Sequence, residues 1–380
     1  MCYYEKNAVY YCFIIFLEEN MEDYKYMTIV EWTKNYIAAN GLKPNDRFLT
    51  EKDLCEIHNV SRQTVRQALM CLENENVISR VRGSGAFVSM GAAQPAMSVQ
   101  NRNIGVISTY FTDYIFPQIV TGIESVLNDS GFSMQLAITH NKVAEEQQAL
   151  QSMISGGVQG LIVEPSKSAL PNPNMGLYDE LRRNNIPVVF FNAKYPWSDY
   201  PCVAIDDEAA GRIAADHIFD CGHTKIAGIF ALDDIQGHKR YSGFTKSCIA
   251  HGLRNAEDNV LWFPTSNKNS VFTSGEIRLL ELLSEATAVV CYNDNIAIKL
   301  LQFCKEHNIS VPGDLSVVGI DDSKYATICD VPLTTVAHPQ RRLGEAVAEK
   351  LIDKICSASA DDDDIIFTPE LRIRGSVKKL

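Results

Sequence analysis

From residue 104 to the C-terminus, short runs of consecutive apolar residues alternate with stretches that have a helical pattern. A strand that is apolar on both faces belongs to a parallel sheet with helices on both sides. Eight such runs suit two lobes better than one sheet, and a ligand between the lobes would lie at the carboxyl ends of the strands. The eight predicted strands cover residues 104–108, 136–138, 160–163, 188–191, 203–205, 226–230, 288–291 and 315–320.

The segment 50–88 has the pattern of a helix-turn-helix followed by a hairpin. Thr50 and Asp53 form a capping-box pair, and Ser61 caps the next helix after a short turn. Alternating residues around Gly83-Ser84-Gly85 predict a β-hairpin. The helix after Ser61 has the inward residues Val65, Leu69 and Leu72 and the outward residues Arg62, Gln63 and Arg66. With a helical pattern over residues 29–37 before it, the segment predicts an α+β winged helix-turn-helix.

The charge of the chain is unevenly distributed. The formal net charge of −12 argues against a nucleic-acid partner, but binding depends on where the charges lie. Residues 61–91 contain four arginines and two glutamates, so this part of the predicted winged helix-turn-helix does not share the net negative charge of the whole chain. A recognition helix with exposed arginine and glutamine side chains, followed by a basic wing, predicts binding to double-stranded DNA.

Two further segments lie outside these predicted domains. Residues 1–25 include an apolar run that is too short to span a bilayer and is followed by a poor signal-peptide cleavage context. We interpret residues 1–25 as an N-terminal extension or a mis-assigned start, with a membrane or partner contact and a targeting signal as alternatives. Residues 91–102 are small and polar and form a linker that spans roughly 20 Å as a coil. The predicted domains therefore cover residues 26–90 and 103–380.

Several functional classes are not favoured by the sequence. The eleven cysteines occur singly, without a C-x-x-C pair, which fits neither a disulfide framework nor a zinc site and indicates a reducing cytoplasm. The four aspartates at 361–364 lack the glycine-spaced loop of a calcium site, so no metal is expected. There is no Walker P-loop, no G-x-S-x-G and no H-E-x-x-H motif. The sequence therefore predicts neither catalysis nor a cofactor.

Residues 26–90 resemble the winged helix-turn-helix of the GntR family. The resemblance rests on Thr50-Glu51, on Ser61-Arg62-x-Thr64-Val65-Arg66-x-Ala68-Leu69 and on Arg82-Gly83-x-Gly85-x-Phe87-Val88. Residues 103–380 resemble the periplasmic-binding-protein-like core of LacI/GalR-type regulators. The motifs are RYSGF at 240–244, ND at 293–294, VVGIDD at 317–322 and PLTTV at 332–336. The LacI-type DNA-binding head and its hinge helix are absent.

A GntR-type head on a LacI-like core is similar to the arrangement of arabinose-responsive repressors. The resemblance implies a cytoplasmic homodimer that binds a palindromic operator and leaves it when a monosaccharide, L-arabinose, binds. Another pentose, a hexose or a sugar phosphate are alternative effectors. A sugar-binding protein that does not bind DNA and an enzyme acting on a pentose are further alternatives. A transport protein would need export and has no winged head, and an enzyme would need a catalytic base.

The resemblance implies DNA contacts in the first turn of the third helix, at the start of the second helix and in the wing. Arginine forms bidentate contacts with guanine and glutamine forms them with adenine, while the wing glycines allow close approach to the minor groove. The predicted DNA-binding residues are Glu51, Ser61, Arg62, Gln63, Thr64, Arg66, Arg82, Gly83 and Gly85.

A sugar presents hydroxyl groups in fixed directions together with apolar ring faces, so its site combines planar polar groups with aromatic rings. In the LacI-like pattern, Arg240 supplies a fork of donors, Asn293 supplies a donor and an acceptor, and Asp321 accepts hydroxyl groups at the end of a strand. Asn192 stands where such regulators often have aspartate. The predicted sugar-binding residues are Tyr110, Tyr114, Phe116, Asn192, Arg240, Asn293, Asp321 and His338, with Phe111 as a further candidate ring.

Overall fold

The computed structural model describes residues 26–74, 77–81, 85–89, 102–111, 114–356 and 361–380, apart from residues 27, 31 and 38. The chain divides into two units, Met1–Gln100 and Asn101–Leu380. The predicted extension 1–25 and the predicted linker, apart from Arg102, lie outside the described residues. The predicted DNA contacts Arg82 and Gly83 lie outside them too.

Among its described residues, the first unit has three helices and a two-stranded antiparallel hairpin, which confirms the predicted winged helix-turn-helix. Its core consists of apolar side chains from all of these elements, because each helix is too short to bury its apolar face alone. The elements are α1 (helical residues 28–30 and 32–37), α2 (Glu51–His58), α3 (Arg62–Asn74), β1 (Ile78–Val81) and β2 (Gly85–Val88). The buried residues include Ile29, Ile37, Leu54, Val65, Leu69, Leu72, Ile78 and Val88.

Both predicted helix caps are present in this unit. The Thr50 hydroxyl accepts from the Asp53 amide at 3.3 Å, and the Thr50 amide donates to the Asp53 carboxylate at 2.8 Å. The Ser61 hydroxyl accepts from the Thr64 amide at 3.2 Å. Asn59 ends α2 with a left-handed φ of 51°, which asparagine tolerates better than most residues. These local contacts fix the turn between α2 and α3.

The second unit consists of two lobes, each built on a six-stranded sheet. The sheet of lobe 1 is entirely parallel and has the order β13-β7-β6-β5-β3-β4. The elements of lobe 1 are β3 (Asn103–Ser108), α4 (Phe116–Asp129), β4 (Ser133–Ile138), α5 (Val143–Ser155), β5 (Gly160–Val163), α6 (Met175–Arg183), β6 (Val188–Phe191), β7 (Cys202–Ile205), α12 (Gln340–Cys356) and β13 (Ile365–Phe367).

The sheet of lobe 2 has the order β14-β12-β11-β10-β8-β9 and is parallel except for β14, which is antiparallel to β12. Its elements are α7 (Asp207–Asp220), β8 (Ile226–Ala231), α8 (Ile235–Ala250), β9 (Val260–Phe263), α9 (Glu276–Glu285), β10 (Ala288–Cys291), α10 (Asp294–Glu306), β11 (Ser316–Asp321), α11 (Tyr325–Ile328), β12 (Thr334–Ala337) and β14 (Glu370–Arg372). The two parallel sheets confirm the predicted two-lobed α/β core.

The lobes are joined at one edge of each sheet. Within the described residues, the chain crosses between them after β7, after β12 and between β13 and β14. These strands lie at or next to one edge of their sheets. The three crossovers therefore form a hinge on one side of the cleft, and the strands β4 and β9 lie on the opposite side.

Each lobe contains a pair of helices that approach closely at glycines. A Cβ atom on Gly243 of α8 would lie 1.9 Å from the Glu208 carbonyl oxygen of α7. In lobe 1, a Cβ atom on Gly344 of α12 would lie 2.1 Å from the Ile119 carbonyl oxygen of α4. Only a hydrogen atom fits at either place. The close contact in lobe 2 helps to position Arg240, which lies on α8 one turn before Gly243.

Candidate functional site

The first turn of α3 presents polar side chains to solvent. Arg62, Gln63 and Arg66 are exposed, as expected for residues that read base edges. Ser61, just before the helix, is exposed as well. The Thr64 side chain is only 4% exposed, and its hydroxyl lies 2.8 Å from that of Ser61. Thr64 therefore faces the interior of the unit and does not share the exposed surface of its neighbours.

Glu51 lies beside this surface, at the start of α2. Its carboxylate is 3.1 Å from Arg66 Nε, and the two side chains are 37% and 66% exposed. An exposed ion pair of this kind contributes little stability, so its main consequence is to orient Arg66 on the surface of α3. Gly85 begins β2 opposite Val81, and it is the part of the predicted wing contact that the structure describes.

A cavity of about 300 Å³ lies between the two lobes. It is at the carboxyl ends of the parallel strands, where open α/β sheets bind their ligands. Carboxylates, amides, a guanidinium group and aromatic rings form its wall. Seven of the eight predicted sugar-binding residues line it, namely Tyr110, Tyr114, Phe116, Asn192, Arg240, Asn293 and Asp321.

Arg240 lies in the cavity wall, is 2% exposed and donates three hydrogen bonds to the protein. Its Nε donates to Asp207 at 2.8 Å, Nη1 donates to the Tyr292 carbonyl oxygen at 2.7 Å, and Nη2 donates to Asp321 at 3.2 Å. Three of the five N–H groups of the guanidinium are thus used within the protein. The predicted fork of donors is available to a ligand only in part.

Asp321 and Tyr114 connect the two lobes beside the cavity. Asp321 ends β11 of lobe 2, and Tyr114 follows β3 of lobe 1. The Tyr114 hydroxyl donates to Asp321 Oδ2 at 2.6 Å and accepts from the Asp294 amide at 3.1 Å. Burial and the charge of Asp321 hold the pKa of Tyr114 well above its ordinary value, so the phenol stays protonated. Each Asp321 oxygen therefore already accepts one hydrogen bond from the protein.

Asn192, at the end of β6, connects the cavity to the hinge. Its Nδ2 donates to Glu164 at 2.7 Å, and its Oδ1 accepts from His338 Nε2 at 3.2 Å. His338 follows β12 at the second crossover and is not among the residues that line the cavity. Its imidazole lies behind Asn192 and fixes the orientation of the amide.

The burial of His338 leads to a pH dependence of core stability. Burial, with a smaller contribution from Arg240, lowers the pKa of His338 to about 3, whereas an unfolded histidine has a pKa of about 6.5. In this pH range the His338 imidazole takes up a proton in the unfolded chain but stays neutral in the folded chain. The free energy of unfolding therefore decreases as the pH falls from about 7 towards 3. Between about pH 7 and pH 5, we expect His338 to destabilise the core by about 2 kcal/mol.

Urea unfolding of the wild type and of His338→Gln measures this effect. Glutamine keeps a donor for Asn192 but does not titrate, so the variant should lose about 2 kcal/mol less over the same pH interval. Equal pH slopes for both proteins would contradict a buried neutral imidazole at this position.

Two other predicted residues have partners that limit what they offer a ligand. Asn293 caps α10, and its Oδ1 accepts from the Ile296 amide at 3.1 Å, so its amide NH2 group is the part left for a ligand. The rings of Tyr110 and Phe116 lie 5.8 Å apart at the cavity wall. Phe111 is 40% exposed and is not among the lining residues.

Glu164, which directly follows β5, lines the cavity and was not predicted from the sequence. Its carboxylate accepts from the Thr109 amide at 2.8 Å, from the Thr109 hydroxyl at 2.6 Å and from the Ser108 hydroxyl at 3.2 Å, in addition to Asn192. Burial raises the pKa of Glu164, and the hydrogen bonds from Thr109 and Asn192 oppose this shift only in part. Further polar lining residues that were not predicted are Asn141, Asp234, Gln236, Thr265, Lys268 and Asn295.

The described part of the chain has no candidate metal site and no candidate membrane span. It contains no group of three or more metal-ligating side chains, and its nine cysteines are free thiols. Among the aspartates at 361–364, Asp361, Asp362 and Asp364 pair with Lys350, Lys354 and Lys194. No helix within these residues is long and apolar enough to cross a bilayer.

The chain matches two family models. Residues 25–88 match "Bacterial regulatory proteins, gntR family", and residues 215–377 match "Periplasmic binding protein-like domain". The chain is 40% identical over 359 residues to the arabinose metabolism transcriptional repressor of Geobacillus stearothermophilus, which covers 94% of this chain and 98% of the relative. It is 37% identical over 360 residues to the repressor of that name from Halalkalibacterium halodurans, with coverages of 93% and 96%.

The core is also similar to a solved LacI family transcriptional regulator from Enterococcus faecium with bound ribose. The TM-score is 0.62 at 25% identity, over 73% of this chain and 99% of that one. A winged helix-turn-helix head with a two-lobed core that encloses a polar cavity defines the class of ligand-responsive transcriptional regulators. Within this class, the chain belongs to the family of arabinose metabolism transcriptional repressors.

Proposed function

We propose that this chain represses arabinose-utilisation genes by binding operator DNA and leaves the operator when L-arabinose occupies the cavity of the core. The observation that carries the proposal is the cavity wall, where polar groups that suit sugar hydroxyls stand next to aromatic rings that suit a sugar ring. The identity to the two arabinose repressors extends over nearly the whole chain. Arg62, Gln63 and Arg66 are the proposed readers of the operator.

The charges of the cavity favour an uncharged sugar over a sugar phosphate. Glu164, Asp234 and Asp321 line the wall, against the cations Arg240 and Lys268. Arg240 is already paired with Asp207 and Asp321. The negative charge of a phosphate group would be repelled by these carboxylates, and the repulsion is strong in a poorly hydrated site. Sugar hydroxyl groups, in contrast, can donate hydrogen bonds to them.

We further propose that the repressor acts as a cytoplasmic homodimer. A palindromic operator has two half-sites, which two heads related by two-fold symmetry would occupy together. Coupling between sugar and DNA is usually about 1–3 kcal/mol, which changes operator affinity by about 5–150-fold. Because the heads and the cores are separate units, we propose that the segment 91–102, which lies outside the described residues apart from Arg102, transmits this coupling.

Fluorescence anisotropy with DNA from upstream of arabinose-utilisation genes tests the function. We expect specific binding without sugar and an operator affinity about 5–150-fold lower with L-arabinose. D-xylose, D-ribose, D-galactose and a pentose phosphate serve as the comparison panel. The proposal would be wrong if no such DNA bound at low salt, or if another member of the panel, and not L-arabinose, released it.

A further inference from the structure

The two lobes also make contact through Ser168, which lies in the loop after β5 and is 1% exposed. Its hydroxyl donates to Asp234 Oδ1 at 2.8 Å and accepts from the Ile235 amide at 3.0 Å. Both partners lie at the N-terminus of α8 in lobe 2, Asp234 as its N-cap and Ile235 as its first residue. One hydroxyl group of lobe 1 therefore forms two hydrogen bonds with lobe 2.

A second set of contacts crosses the cleft close by. Asn141, after β4, donates to the Thr265 hydroxyl at 2.6 Å. Thr265 is held in turn by Asp233, which accepts from its amide at 2.8 Å and from its hydroxyl at 2.9 Å. Lys167 Nζ lies 3.3 Å from Asp233 Oδ2. Together these residues form what we call the latch, with Asn141, Lys167 and Ser168 from lobe 1 and Asp233, Asp234 and Thr265 from lobe 2.

The position of the latch follows from the order of the strands. The hinge crossovers use β7, β12, β13 and β14, which lie at or next to one edge of each sheet. Most latch residues follow β4, β8 and β9, which lie at or next to the opposite edges. A rotation about the hinge that opens the cleft therefore separates the latch residues more than it separates residues near the crossovers.

Three latch residues, Asn141, Asp234 and Thr265, line the cavity, and Asp234, which also caps α8, is the one that contacts Ser168. Asp234 accepts from the Tyr292 hydroxyl at 2.5 Å with one oxygen and from Ser168 with the other. Ser168 itself does not line the cavity. A change at Ser168 therefore acts on a ligand only through Asp234 and through the contact between the lobes.

We propose that Ser168 is a positioning residue for effector binding, which fixes Asp234 at the cavity wall and holds the cleft closed over the sugar. This inference rests on the proposed sugar-binding function. Because Ser168 and Asp233 are almost fully buried, water does not replace the hydrogen bonds of the latch in the closed cleft. Loss of the Ser168 hydroxyl leaves the Ile235 amide without its acceptor and Asp234 without one donor, and closure becomes less favourable.

Stopped-flow fluorescence of L-arabinose binding to the full chain tests the proposal. Each hydrogen bond contributes about 1 kcal/mol, so we expect Ser168→Ala to raise the Kd for L-arabinose about 10–30-fold. The change should lie in the dissociation rate, since the latch forms after the sugar has entered. The association rate should stay within about twofold of the wild type.

Ser166→Ala is the matched control. Ser166 lies in the same loop and is fully buried, but its hydroxyl bonds to Thr139 within lobe 1 at 2.9 Å. This variant should lose stability without faster sugar release. Lys167→Met removes only a partly exposed ion pair across the cleft, and it should accelerate release about threefold even if Ser168→Ala does not fold.

The possible outcomes separate the latch from the function on which it rests. Faster release from Ser168→Ala and Lys167→Met, but not from Ser166→Ala, supports the latch. Release at the wild-type rate from both latch variants, or equally fast release from Ser166→Ala, overturns it. Failure of the wild-type chain to bind L-arabinose would instead refute the proposed function.

Discussion

Replacement of Arg240 by alanine is expected to remove the response to L-arabinose and to destabilise the core by about 3–5 kcal/mol. The guanidinium lies between Asp207 and Asp321, and its removal leaves two buried carboxylates without their cation. The Tyr292 carbonyl oxygen also loses its donor. Urea unfolding measures the stability, and calorimetric titration with L-arabinose measures the loss of binding.

Arg240→Lys separates the two effects. Lysine keeps the positive charge but lacks the planar fork that reaches three acceptors at once. We expect this variant to fold and to bind the operator, while L-arabinose no longer releases it from the DNA. Arg183→Lys, at an exposed position on α6, is the control. Wild-type sugar affinity in Arg240→Lys would show that the guanidinium does not hold the ligand.

The strands of the core differ in how far the sequence predicts them. All eight predicted strands are present. Seven of them are almost entirely buried and read as continuous apolar runs, whereas β4 lies at a sheet edge, is only partly buried and was predicted from its apolar residues 136–138. The strands β9, β13 and β14 were not predicted. All three lie at sheet edges and have only three or four residues. The apolar strands β9 and β13 are partly exposed, with Trp262 and Ile366 36% and 50% exposed, and β14 contains two charged residues. The strand β12 is buried but contains two threonines, which bond to other buried groups, and it lacks an apolar run.

Cavity-lining residues could be predicted from the sequence where they come directly after a parallel strand. Asn192, Asn293 and Asp321 follow or end their strands, and parallel strands bring such positions to one edge of a sheet. Glu164 and Asp234 occupy equivalent positions after β5 and β8, so the same rule applied to every strand would have found both. Asp207 comes two residues after β7 and fits the same rule, but an acidic residue in the first turn of a helix is also typical of favourable interaction with the helix dipole. Only the fold shows that it is the counterion of Arg240.

Side-chain direction was harder to predict than position. Thr64 lies in the exposed turn of α3 by sequence, yet its hydroxyl pairs with that of Ser61 at the helix cap. His338 was predicted to contact the sugar, but its side chain bonds to Asn192 and does not line the cavity. Both directions go with a specific hydrogen bond, one to a residue three positions away and one to a residue 146 positions away, and the sequence pattern contains neither.

Replacement of Arg62 by alanine is expected to abolish specific operator binding while L-arabinose still binds to the core. Arg62 is exposed in the first turn of α3, the part of a recognition helix that meets base edges. A bidentate contact with guanine contributes about 1–3 kcal/mol of discrimination. A dimer loses this contact in both half-sites, so specific affinity should approach the nonspecific level.

Anisotropy titrations with the operator and with operators altered at single base pairs measure this loss. The wild type should discriminate against a substituted guanine, whereas Arg62→Ala should bind both sequences equally. Arg183→Ala removes the same charge from the surface of the core and should leave operator binding unchanged, which excludes an effect of net charge alone. Unchanged affinity and base preference in Arg62→Ala would mean that α3 does not read the operator through this residue. Gln63, exposed on the same turn, and Arg66, exposed one turn further along α3, would then be the next residues to replace.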